Sequence, residues 1–275
     1  MSETPPIGEP ISEAEAIARL EQRQDPSQRY YAAWWLGRMR SQHPRALPLL
    51  VDAVKAVLVE QSDDHDALFV ARNAARALGK LESSEAIAVL EQALAHHDHD
   101  LREAAARSLA EIGNPCVLGA LAKRLGRSGA GELSGKGTRL QEPCDALVEA
   151  IGDLARGQQD QRLMALVEPF TRHERPVLRS SAYRALLLIS GDQRWGQELL
   201  QLLEDARLQV RRAVLMDLGA CGWREAAQAL ASCPAENSLK LIALRGLVEQ
   251  PLLGGAPAAL GDAERNLLTL MDQLL

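Results

Sequence analysis

Apolar side chains recur along most of the chain at intervals of three and four, the spacing of helices that bury one stripe. The segment Arg29-Tyr-Tyr-Ala-Ala-Trp-Trp-Leu-Gly37 returns as Ala71-Arg-Asn-Ala-Ala-Arg-Ala-Leu-Gly79 and as Arg102-Glu-Ala-Ala-Ala-Arg-Ser-Leu109, with four weaker copies after it. With Arg29 as position zero, the register continues at Ala71, Arg102, Cys144, Arg179, Arg211 and Lys240, with separations of 42, 31, 42, 35, 32 and 29 residues. Those are helical-hairpin repeat lengths. Offsets +3, +4 and +7 read Ala32/Ala33/Leu36 in the first copy, Leu147/Val148/Ile151 in the fourth and Ala243/Leu244/Leu247 in the seventh, and they are apolar almost throughout. Only a neighbouring helix can cover such a face. The pattern therefore predicts an all-α protein, a right-handed stack of short helix pairs forming an α-solenoid.

Local signals divide the stack. Ser12 with Glu15 predicts a capped start for the first helix, and Asp25-Pro26 starts the next. Gly113, Asn114-Pro115 and Gly191 read as helix stops and restarts. Residues 1–11 are rich in Pro and Glu and read as a disordered tail, leaving 12–275 as a single HEAT-like α-solenoid. The glycines between Gly126 and Pro143 interrupt the rhythm and predict a flexible loop at about 126–143.

Composition narrows the function classes. Only nine of the 275 residues are aromatic, while 47% are hydrophobic, which favours helices packed through small contacts over a β-sandwich. The formal charge of −6 counts against a nucleic-acid binder, which needs a dominant basic face. No apolar run approaches the ~20 residues that cross a bilayer. The four cysteines form no C-x-x-C pair and follow no apolar signal segment, so the expected setting is reduced and cytoplasmic.

Several chemistries fail on inspection. Gly135-Lys136 is followed by Gly137 and lacks the earlier glycine of a Walker loop. The run His96-His97-Asp98-His99-Asp100 has metal-ligand residue types, but it falls at a hairpin turn where Asp98 or Asp100 would cap the helix containing Arg102; no metal site is expected there. HEAT-type iron hydroxylases that act on deoxyhypusine carry several His-Glu dyads, and here only His173-Glu174 occurs. No cysteine has a histidine near it in sequence, so no catalytic nucleophile is assigned.

Two features remain. Tyr30, Tyr31, Trp34 and Trp35 hold four of the nine aromatic residues, at offsets +1, +2, +5 and +6 where other copies carry residues such as Arg72, Asn73, Arg76, Glu103, Arg107, Asp145, Glu149 and Arg184. Such rings form a binding surface or a capped solenoid end, or they pack against the helix from Ser12 to Gln22, most of all Tyr31 and Trp35. Offset +5 reads Trp34, Arg76, Arg107, Glu149, Arg184, Met216 and Arg245, a broken guanidinium ladder suited to carboxylates. Its plainer reading is a solvated face paired with neighbouring acids.

The segment Tyr30-Tyr31-Ala32-Ala33-Trp34-Trp35-Leu36-Gly37-Arg38, in the first full repeat after a short acidic helix, resembles the E subunit of the heterodimeric E/F-type phycobilin lyases. The resemblance implies a HEAT-like subunit that pairs with a homologous F subunit. Together they would attach a linear tetrapyrrole, most often phycocyanobilin, through a thioether to a cysteine of the phycocyanin α-subunit. The thiolate would come from the client, so no tightly bound cofactor is implied and the pigment is substrate. Tyr30, Tyr31, Trp34, Trp35, Arg76 and Arg107 become the candidates for pigment or partner binding, and the acid is unassigned. The rival readings are a non-catalytic HEAT adaptor, including solenoids of phycobilisome turnover, and a HEAT-like DNA glycosylase, which the net acidity opposes.

Overall fold

A computed structural model describes residues 11–59, 63–135, 137–249 and 261–275. The expected tail falls on residues 1–10, outside the described residues, while Ile11 is buried. The chain divides into two compact units, Met1–Arg124 and Leu125–Leu275.

The first unit contains α1 (Glu13–Glu21), α2 (Pro26–Arg38), α3 (Ala46–Leu58), α4 (His65–Lys80), α5 (Ile87–Ala93) and α6 (His99–Ile112), followed by α7 (Leu118–Leu125) at its end. Helices α1, α3 and α5 form one row, and α2, α4 and α6 pack side by side as a second row against it. The second unit contains α8 (Cys144–Leu154), α9 (Gln161–Val167), α10 (Pro176–Ser190), α11 (Arg194–Leu203), α12 (Leu208–Cys221), α13 (Ala227–Ser232), α14 (Asn237–Glu249) and α15 (Asp262–Asp272). Here α8, α10, α12 and α14 make the second row, and α15 lies against α13 and α14. Among the described residues there is no strand beyond one isolated bridge, Leu133 to Leu140. The all-α solenoid expected from the repeat pattern is the fold observed.

The predicted stripe is the core. Every residue at +3, +4 and +7 in the seven copies is buried except Tyr183, which is half-buried. The predicted caps form as well. Ser12 Oγ accepts from the Glu15 N–H, and Asp25 Oδ1 accepts from Ser27 and Gln28. Gly113 and Gly191 close α6 and α10 at φ 76° and 71°, a left-handed conformation that favours glycine.

Position zero of the repeat has a backbone task. Arg29 Nε donates to Leu20 O, Arg102 to His96 O and His97 O, Arg179 to His173 O and Glu174 O, and Arg211 to Asp205 O and Ala206 O. Each guanidinium thus satisfies carbonyls left unpaired where the chain turns into the second-row helix. An apolar residue there would strand those acceptors.

Second-row helices approach almost to backbone contact. A Cβ on Gly37 would stand 2.7 Å from Ala77 Cα, and one on Gly152 would stand 2.6 Å from Ala185 Cα. The described residues of the stretch 126–143 carry no helix, and later residues hold part of it: Cys144 Sγ donates to Ala130 O at 3.3 Å, and His173 Nε2 lies 3.0 Å from Gly131 O. Lys136 lies outside the described residues.

Gly152→Ala is expected to cost about 1–3 kcal/mol through overpacking against Ala185. Gly119→Ala meets nothing within 4 Å and is expected to gain about 0.5–1 kcal/mol from helix propensity. Urea denaturation of the two variants checks the pair, and equal losses would remove close helix approach as the cause.

Candidate ligand and partner surface

Helix α2 carries the aromatic cluster because its apolar stripe, Ala32, Ala33 and Leu36, already faces the core and leaves the flanking offsets outward. Tyr30, Tyr31 and Trp34 are 37%, 40% and 46% exposed, and Trp35 is half-buried. Packing under the first helix therefore does not account for Tyr31, whereas Trp35 is partly covered. Tyr31 and Trp34 pair with ring centroids 5.5 Å apart.

Helix α4 extends the surface. The Phe69 ring lies 5.2 Å from Tyr30 and 5.3 Å from His65, and Phe69 is 43% exposed. Asn73 Nδ2 donates to Tyr30 O at 3.3 Å, which joins α4 to the α2 backbone, and Arg76 donates to Asn73 Oδ1 at 3.3 Å. Phe69 is absent from the sequence-based candidates. Its signal is its place two residues before position zero, where the neighbouring copies have Ser27 and Asp100.

The cations differ in how far they are committed. Arg72 Nε and NH2 grip Asp98 at 2.8 and 2.6 Å, and its guanidinium also stands 5.9 Å from the Phe69 ring. Burial alone would raise the Asp98 carboxyl; Arg72 and the Leu101 N–H overcome it and hold it below the usual value. Arg76 is exposed, and Arg107 is exposed with Glu103 3.2 Å away, a pairing of small value at a helix surface. The ladder at +5 does not continue as an exposed stripe in the second unit. Arg184 is largely covered among Glu149, Asp153 and Asp217, and Arg245 pairs with Glu249.

Asp98 is the cap foreseen for the histidine-rich turn, accepting from the Leu101 N–H at 2.7 Å. His99, Asp100 and Glu103 do bring ligand atoms within 4.8 Å of one another. However, Asp100 already faces Arg72 at 3.7 Å and Glu103 faces Arg107, at a helix start whose dipole favours anions. This is a charge-paired helix start.

The three buried thiols are not activated. Burial pushes Cys144 and Cys221 up to about 12, and Cys233 is raised by burial too. Such thiols stay protonated at neutral pH. In the second unit, an open groove of about 260 Å³ lies between α12 and α14, edged by Met216, Ile242 and Arg245 over Gly219 and Gly246. What the first unit offers is rings and guanidinium groups on adjacent second-row helices, fit to hold a flat anionic ligand or a protein surface.

Repeat register and helix packing together define a HEAT-type α-solenoid. Family models agree: HEAT repeats match residues 56–133, and the PBS lyase HEAT-like repeat matches 28–56 and 210–233. The phycocyanobilin lyase subunit alpha of Synechococcus elongatus is 41% identical over 274 residues, covering 99% of this chain and 98% of that protein. The bilin biosynthesis protein RpcE of a Synechococcus species is 42% identical over 245 residues, covering 88% and 91%. Among solved structures, the complex of CpcE and CpcF of phycocyanin lyase from Nostoc matches with a TM-score of 0.84 at 36% identity, covering 100% of this chain and 99% of that one. The chain belongs to the phycocyanobilin lyase alpha-subunit family, the E type of the E/F lyases.

Because the rings project outward, Tyr30→Ala, Trp34→Ala and Phe69→Ala are each expected to cost under about 1 kcal/mol of stability, against about 2–5 kcal/mol for Leu36→Ala in the core. Thermal melts followed by circular dichroism separate the two classes. A loss at Trp34 as large as at Leu36 would make that ring a structural element.

Proposed function

We propose that this protein is one half of a heterodimeric bilin lyase, which with an F-type partner attaches phycocyanobilin to a cysteine of the phycocyanin α-subunit. The likeness that carries this reading is 41% identity across nearly the whole length of a phycocyanobilin lyase alpha subunit. The outward rings support it physically.

Attachment is an addition that needs no oxidant. The client's sulfur bonds to the ethylidene carbon of ring A, and a proton goes to the adjacent ring carbon. The lyase contributes position, exclusion of water and charge. Tyr30, Tyr31, Trp34 and Trp35, with Phe69 beside them, would offer π-faces to the pigment or partner, and Arg76 and Arg107 would meet propionates. The pigment is substrate in this reading, no cofactor is held, and the reaction takes place in the cytoplasm. Among the described residues no helix is long and apolar enough to cross a membrane.

Co-expression with an F-type subunit, the phycocyanin α-subunit and a bilin-synthesis pathway tests the reading. A zinc-fluorescent, covalently coloured client is expected only when both subunits are present. An uncoloured client beside a well-formed complex would leave a non-catalytic adaptor instead. Tyr30→Ala with Trp34→Ala should lower the ligation rate by about tenfold or more if these rings are binding hot spots.

Arg76→Gln and Arg107→Gln should each weaken binding of free pigment by about tenfold, the scale of one charged hydrogen bond. Binding of the pigment's propionate diester should hardly change. Equal loss for both ligands in an absorption titration would remove the propionate role.

A further inference from the structure

The second unit contains a charge cluster that the binding surface does not use. Arg184 of α10 reaches Asp153 of α8 at 2.7 Å, Asp217 of α12 at 3.4 Å and Glu149 of α8 at 3.9 Å. Ser180 of α10 donates to Asp217 Oδ2, and Ser181 donates to Glu149 Oε1 at 2.9 Å. The side chains of Arg184 and Asp217 are 12% and 8% exposed. Three carboxylates therefore share one guanidinium; Asp217 lies deepest, Glu149 is partly covered and Asp153 reaches the solvent edge.

A buried carboxyl this close to other carboxylates resists ionising beside them. Asp217 is the carboxyl most removed from solvent. The groups facing it are Glu149 and Asp153 from α8, Arg184 and Ser180 from α10, and Cys221 on its own helix. Arg156, after α8, donates to Ala220 O and Cys221 O nearby. From α14, Ala243 and Gly246 pack on Gly219 of α12, and neither carries a charge.

We propose that Glu149, Asp153, Ser180, Arg184 and Asp217 form a proton-operated clamp across α8, α10 and α12, which closes with one proton on Asp217 and loosens when that proton leaves. The carboxyl is pushed up to about 7 by burial first and by Glu149 next, against the pull of Arg184 and Ser180. Burial alone would lower Arg184, but Asp153, Asp217 and Glu149 overcome it and keep it charged. The Asp217 value in the folded state lies above that of the unfolded chain, so the folded state holds the proton more tightly. This contribution to stability is complete below the unfolded value and is lost as pH rises through about 7.

The test is denaturant unfolding of the full chain between pH 5 and pH 8.5. Below pH 7 the unfolding constant of the wild-type chain should carry one proton more than that of Asp217→Asn, about tenfold per pH unit between their slopes. Ser180→Ala, which removes the donor that favours the charged carboxylate, should move the transition to higher pH. If Asp217→Asn does not fold, the wild-type protein labelled with carboxyl carbon-13 at aspartate still decides: one resonance should titrate near pH 7. Parallel slopes for wild type and Asp217→Asn, or no aspartate titrating above about pH 5.5, would overturn the clamp.

Discussion

The second-row helices touch nearly backbone to backbone, and the rest of the molecule follows from that contact. Gly37 meets Ala77, Gly79 meets Ser108, Gly152 meets Ala185 and Gly219 meets Ala243, each at a distance where an added Cβ would collide. The glycine sits at +8 of one copy, and in the first three of these contacts its partner sits at +6 of the next. Small residues at both points set the separation and rotation of successive helices, and so decide which side chains can reach their counterparts one repeat along.

Within the first unit this geometry builds the aromatic surface. Because α2 and α4 are so close, the Tyr30 carbonyl comes within reach of Asn73, and the Tyr30 ring meets Phe69. Within the second unit the same closeness collects acids from α8 and α12 around Arg184. One packing rule thus yields an exposed, ring-rich face in one place and a partly covered ionic cluster in another. The difference lies in the side chains at offsets +1, +5 and +6, not in the backbone.

A lyase subunit whose buried thiols are inert is chemically coherent. The described buried thiols are held protonated by burial, so they do not compete with a client cysteine for an electrophilic pigment. The guanidinium groups at position zero are committed to backbone carbonyls and are unavailable to a ligand. Arg76 and Arg107, on the outward flank, are exposed and are the cations proposed above to meet propionates.

The apolar stripe, the caps at Ser12, Asp25 and Asp98, and the glycine stops at Gly113 and Gly191 were all legible in the linear chain. Each depends on residues within a few positions of one another, and helical periodicity is a local property. The aromatic flank of α2 was legible for the same reason: its rings fall off the buried stripe. By itself the sequence thus determined the helical repeats, the buried face and the first part of the candidate surface. It could not place Phe69 beside Tyr30, 39 residues earlier, nor separate Arg184 from Arg76, which share offset +5. Only the tertiary structure decided those. Register specifies the direction in which a side chain leaves its helix, whereas its depth, partners and charge environment depend on the residues that the adjacent helices bring to that point.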